Sequence, residues 1–198
     1  MVEKISVKLT DQIISYRLVS DNLRDWYIYA FLRIFETGIS LATMIAIAFV
    51  AGRLVHMILF WMFFNLLRRR TGGFHFDKYW ECYIATTITF VGVIAVEPFL
   101  SVHPVLLYSL LSISVFEIMI IGTINHPNMD YNHQELKKSK KLSRFILSIE
   151  IMIILSFSMI GVKEIYLTYM SIGIILCAVL MGFAKIYKQE VKTDERTK

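Results

Sequence analysis

Hydrophobic runs long enough to cross a bilayer recur along this chain, separated by short segments that hold most of its charge. A spanning helix needs about 20 mostly apolar residues. Trp80–Pro98, Pro104–Ile124, Phe145–Val162 and Ile165–Tyr187 all read as such helices. The earlier stretch Trp26–Leu67 is interrupted, by Arg33 and Glu36 in its first half and by a polar break at Arg53 and His56. It reads as a helical hairpin, Tyr27–Ala51 followed by Leu54–Leu67. A soluble domain is roughly 45–50% apolar even counting glycine; here hydrophobic residues make up 56%. The expected fold is all-α: a polytopic integral membrane protein with about six transmembrane helices. Its 198 residues suit one membrane domain: an amphipathic N-terminal helix over 1–25, spanning helices over 26–187 and a tail over 188–198.

Charge placement tests that topology. In a six-span arrangement all 21 Lys and Arg residues except Arg53 and Lys163 fall on one side. The positive-inside rule then places both termini and the segment around Arg68–Lys78 in the cytoplasm. Five crossings would scramble the partition. The same rule accounts for the net charge of +5 without a nucleic-acid partner. The opening Met1–Asp25 reads as no cleavable signal, because it lacks an apolar run followed by a small-residue cleavage site. Within it Ile5, Leu9, Ile13 and Tyr16 recur at helical spacing, with Lys4, Lys8, Asp11 and Arg17 elsewhere around the wheel. Such a helix can lie on the membrane, pack on the rest of the protein or dock an amphipathic partner. Pro98, Pro104 and Pro127 all fall at segment ends or in loops, which gives no support to the broken helices of transporters.

The chemistry concentrates in Gly72-Gly73-Phe74-His75-Phe76-Asp77-Lys78-Tyr79-Trp80-Glu81-Cys82, just after the basic triplet Arg68-Arg69-Arg70. Two cysteines are too few for a disulfide framework. Cys177, inside an apolar run, reads as a small buried hydrophobe. Cys82 instead has an imidazole seven positions upstream, and a histidine within hydrogen-bond reach makes a thiol nucleophile usable. In an unbroken helix a seven-residue separation puts the Cα atoms roughly 10 Å apart along the axis, and side chains lean toward the N-terminus. One straight helix therefore cannot bring His75 onto Cys82. Gly72-Gly73 supplies a backbone break, and Asp77 is a plausible N-cap. The expectation is a helix starting near Asp77, with Cys82 in its second turn and His75 folding back over it. A dyad formed between two subunits is the alternative geometry. Asp77 and Glu81 are the nearby carboxylates that could orient His75, and backbone N–H groups at the helix start could hold an oxyanion.

Arg68, Gly73, His75 and Cys82 resemble the Arg…Gly-x-His…Cys signature of the accessory gene regulator B family, AgrB, of Gram-positive quorum sensing. Asn125-His126-Pro127-Asn128 followed by Lys137-Lys138-Ser139-Lys140-Lys141 is similar to the family's proline-containing, lysine-rich segment. The resemblance implies a membrane cysteine endopeptidase that cuts the C-terminal part from a small propeptide, AgrD, and helps close a thiolactone or lactone ring. Cys82 would be the nucleophile and His75 the base; Arg68 and Gly73 match positions beside the site. The AgrD propeptide carries an amphipathic helix and an acidic tail, which Arg68, Arg69 and Arg70 with Lys137 and Lys138 could hold. A homodimer is a further expectation from the resemblance, and no cofactor is implied.

A different class of function rests on Glu117 and Glu150, which fall well inside spanning segments. Intramembrane carboxylates are functional candidates, so an ion-coupled peptide transporter is the alternative; a supporting role around a substrate chamber is the reading preferred here. His103, His126 and His133 lack zinc spacing, and no metal is expected. Gly72-Gly73 lacks the spacing of a phosphate-binding fingerprint.

Overall fold

The computed structural model describes residues 2–74, 78–125 and 131–190. Among these lie seven α-helices: α1 (Val2–Ser15), α2 (Arg24–Val50), α3 (Leu54–Thr71), α4 (Tyr79–Ser101), α5 (Pro104–Ile121), α6 (His133–Met159) and α7 (Glu164–Ile186). Helices α2 to α7 correspond to the six apolar segments. Five of them, all but α3, are long and apolar enough to cross a membrane. Helix α3 has 18 residues and carries Arg68, Arg69 and Arg70 in its last turn, which leaves it no charge-poor window of full length.

The bundle is built around α7. Every residue from Leu167 to Ile174 is buried, and the stripe continues through Cys177, Ala178, Met181 and Ala184. Gly173 is what lets α3 approach so closely. A Cβ there would sit 3.0 Å from the backbone nitrogen of Phe64 and 3.1 Å from the carbonyl oxygen of Phe60. Small residues bring helices together in this way where lipid removes the hydrophobic drive for association. Next to that contact the Cys177 thiol donates to the Phe64 carbonyl at 3.3 Å. The outward residues are apolar, including Ile88, Phe99, Ile113, Phe116 and Met152. Polar side chains such as Glu97, Glu150, Ser143 and Thr168 are buried. That inversion suits lipid as the solvent.

Three expectations shift. The N-terminal helix ends at Ser15 rather than near residue 25, because Arg17 takes φ 55° and a turn including Asp21–Leu23 reverses the chain. Helix α1 then packs on α2 through fully buried Ser6 and Thr10, whose hydroxyls donate to Val2 and Ser6 carbonyls at 3.1 and 2.9 Å. Ile5 and Tyr16 of the apolar stripe stay exposed. Helix α4 starts at Tyr79, so Cys82 closes its first turn rather than lying in the second; Asp77, the expected cap, lies outside the described residues. Finally, Lys137–Lys141 are helical rather than loop. Asn132 caps α6 in a reciprocal pair with Glu135, at 2.9 and 3.0 Å, which starts the helix at His133.

Candidate active site

Helix α3 ends where Gly72 takes φ 67° and Gly73 φ 131°, both in the region side chains disfavour. The chain leaves as a strap that the core holds in place. The Phe74 N–H donates to the Leu180 carbonyl of α7 at 2.9 Å, and the Ile124 N–H donates to the Thr71 carbonyl at 2.8 Å. Arg68 turns back over the strap, donating through Nη1 to the Gly72 carbonyl and through Nη2 to the Phe74 carbonyl at 2.6 Å. Gly73 leaves room for this. A Cβ there would collide with the guanidinium and lie 3.1 Å from the Leu180 carbonyl.

Helix α4 presents two faces near its start. Tyr79 and Tyr83 turn to α2, where the Tyr79 hydroxyl donates to the Glu36 carbonyl at 3.3 Å and Tyr83 shares a 2.9 Å hydrogen bond with Thr43. The other face carries Cys82, Ala85, Thr86 and Thr89 into a cavity of about 260 Å³ that also touches Arg68 and Phe74. Phe60, Phe64, Leu176 and Leu180 complete most of its apolar wall. Cys82 is half-buried there, whereas Cys177 is sealed in the core with its thiol donated to a carbonyl. The chamber can therefore offer one accessible thiol to an apolar chain segment, beside a guanidinium.

The expected site residues divide accordingly. Arg68, Gly73 and Cys82 come together around the strap and the cavity. His75 and Asp77 lie outside the described residues. The basic triplet splits: Arg68 is drawn inward onto carbonyls, while Arg69 and Arg70 are exposed. Glu81 is exposed and pairs with Lys78 at 3.7 Å. Lys137 and Lys138 are exposed on the first turns of α6, with no ion-pair partner among the described residues. Arg144, on the same helix, caps α5 by donating to the Met119 and Ile120 carbonyls at 2.9 and 3.3 Å. Glu117 is half-buried with Oε1 against Gly182. Glu150 is buried and neither oxygen has a hydrogen-bond partner among the described residues. Among the described residues no cluster of three or more His, Cys, Asp or Glu side chains could hold a metal. The cavity's Phe60, Phe64, Thr86, Thr89, Leu176 and Leu180 were not anticipated. Only the i, i+4, i+7 spacing of Cys82, Thr86 and Thr89 was there to be read.

A bundle of long apolar helices, with a half-buried thiol lining a cavity beside a glycine-broken strap, defines a multi-pass membrane protein. The family model for Accessory gene regulator B matches residues 4–181, so the chain belongs to that family and has a role in the agr quorum-sensing system. Searches of curated proteins and of solved structures gave no match.

Proposed function

We propose that the protein is a membrane cysteine endopeptidase that processes an AgrD-like propeptide, with Cys82 as nucleophile and His75 as base. The observation that carries this is the shared cavity of Cys82 and Arg68, roofed by the strap that leads into His75. His75 takes the Cys82 proton, and the thiolate attacks the scissile carbonyl carbon. Backbone N–H groups at the start of α4 are the natural donors to the resulting oxyanion. The C–N bond then breaks, His75 returns the proton to the departing amine, and the acidic tail leaves. A thioester remains on Cys82. His75 takes the proton of a cysteine or serine side chain of the same propeptide, which attacks that thioester, closes the ring and releases the Cys82 thiolate. The apolar walls limit water, which would otherwise hydrolyse the acyl-enzyme.

In this reading Arg69 and Arg70, with Lys137 and Lys138, offer exposed cations to the acidic tail, and Arg68 with Gly73 shapes the site. The charge partition supports a cytoplasmic site and cytoplasmic termini. The test is mass spectrometry of the purified protein with a synthetic AgrD-like propeptide. A covalent adduct on Cys82 that lacks the peptide's acidic tail supports the reading. Unchanged tail release by Cys82→Ala would remove it.

The transporter reading draws on unpartnered, buried Glu150. It requires that Cys82→Ala be silent and that Glu117→Gln or Glu150→Gln abolish peptide movement into vesicles.

A further inference from the structure

Hydroxyls on the long helices of this protein generally return to their own backbone. Ser40, Thr87, Ser109, Ser112, Ser148 and Ser156 each donate to the carbonyl four residues earlier, at 2.7–3.0 Å. This local bond is the usual way to satisfy a hydroxyl where water is scarce. Like the buried Ser171 of α7, Thr86 and Thr89 are exceptions. Neither hydroxyl makes a hydrogen bond to any described residue, although Thr87 between them does. Both line the Cys82 cavity, four and seven residues along the same helix face.

Both threonines are half-buried, so each hydroxyl is open to bond a group that enters the cavity. The groups that would do so are the N–H and C=O of an extended polypeptide. The spacing suits one. Thr86 lies about 6 Å and Thr89 about 10 Å beyond Cys82 along the helix axis. An extended chain advances about 3.3 Å per residue, so these hydroxyls face positions roughly two and three residues from the bond being attacked. The remaining wall is apolar, with Phe60, Phe64, Phe90 and Leu176 around a space of about 260 Å³. That is below the roughly 300–1,000 Å³ of whole-ligand pockets, and suits a single bulky apolar side chain.

We infer that Thr86 and Thr89 hydrogen-bond the main chain of the substrate segment next to the scissile bond, while an apolar side chain of that segment fills the space between Phe60, Phe64 and Leu176. The inference rests on Cys82 being the nucleophile of the proposed peptidase. It assigns the two threonines to substrate binding rather than to helix packing.

The test reads binding apart from cleavage. Full-length protein in lipid vesicles is alkylated with N-ethylmaleimide, and the rate at Cys82 is followed by mass spectrometry with increasing amounts of a synthetic AgrD-like propeptide. Thr86→Val and Thr89→Val keep shape and remove the hydroxyl. Each is expected to raise the half-protecting peptide concentration about threefold to tenfold, with the peptide-free alkylation rate unchanged. Thr86→Ser and Thr89→Ser are expected to restore protection. Equal protection in the valine variants overturns the inference, as does a peptide-free rate that changes in parallel, which would mean a packing role. Protection that depends on the threonines while Cys82→Ala still releases the tail would break the peptidase reading but leave the binding site standing. If the peptide fails to protect wild-type Cys82 at all, the binding assignment falls.

Discussion

Each end of the bundle keeps a cation of the α2–α3 hairpin, and the two are used in opposite ways. At the end formed by the α2–α3 turn, Arg53 lies 3.7 Å from Glu97 of α4. Glu97 also accepts from the Ser101 hydroxyl at 2.7 Å, and the Thr168 hydroxyl oxygen lies 3.1 Å from that of Ser101. Side chain meets side chain across the α2–α3 turn, α4 and α7, and Ala48, Leu100, Leu107 and Tyr169 are buried around them. At the other end Arg68, among the described residues, bonds only to carbonyls of the Gly72–Phe74 strap. Its effect is to shape backbone rather than to fill space, and a cavity with a thiol persists beside it. A polar group spent on another side chain closes a helix bundle. One spent on the main chain can hold it open.

The largest effect should come from the open end. Cys82→Ala is expected to lower propeptide cleavage by about 10⁴-fold or more, with the thermal midpoint in detergent little changed. Cys177→Ala, measured in the same assay, should keep its turnover, because that buried thiol donates to the Phe64 carbonyl and lies outside the Cys82 cavity. Equal losses from both cysteines would erase the distinction between chamber and core.

Gly73→Ala comes next. The new methyl meets the Arg68 guanidinium and the Leu180 carbonyl while the backbone holds φ at 131°. Displacing a catalytic segment by about 1 Å can cost about 10²-fold in rate, so kcat should fall by about that factor. Gly38→Ala is the matched control, since nothing lies within 4 Å of a Cβ there. The comparison fails if the two alanines behave alike.

At the closed end the prediction is one of stability. Arg53→Ala strands a carboxylate that is 3% exposed and is expected to destabilise the protein by about 2–3 kcal/mol. Glu97→Gln should cost less, because Arg53 is 34% exposed and its charge can reach polar surroundings. Thermal unfolding in detergent measures both. Any surviving folded fraction should keep the kcat of the unaltered protein, since neither residue lines the Cys82 cavity. A fall in kcat without a fall in stability would couple the two ends.

Much of this contrast was written locally. The apolar segments announced α2 to α7 to within a few residues at most ends, because lipid leaves each helix to satisfy its own backbone. Gly72-Gly73 marked the break for the same local reason. The cavity was not legible: Phe60 and Phe64 meet Leu176 and Leu180 only because Gly173 draws α3 and α7 together. Nor did the sequence show that Arg68 would part from Arg69 and Arg70, since three adjacent cations differ only in which way the last turn of α3 points them. The start of α6 is a different kind of miss. Its signal, Asn132 followed by Glu135 three residues on, was present but outweighed by the lysines that follow.

That start carries the smallest prediction. The Asn132 side chain accepts from the Glu135 N–H at 2.9 Å, and the Glu135 carboxylate accepts from the Asn132 N–H at 3.0 Å. Removing such a cap with Asn132→Ala costs about 1 kcal/mol. The loss should stay local, because Ser139 and Ser143 anchor the next turns through the Arg70 and Gly122 carbonyls at 3.1 and 2.8 Å. Hydrogen exchange should therefore quicken over 133–138 by about fivefold and remain unchanged beyond Ser143. If Lys137 and Lys138 grip the acidic tail from a rigid helix, the same variant should raise KM for a propeptide bearing that tail and leave a tail-less peptide's binding alone. An identical rise for both peptides would take the lysines out of recognition and return them to topology.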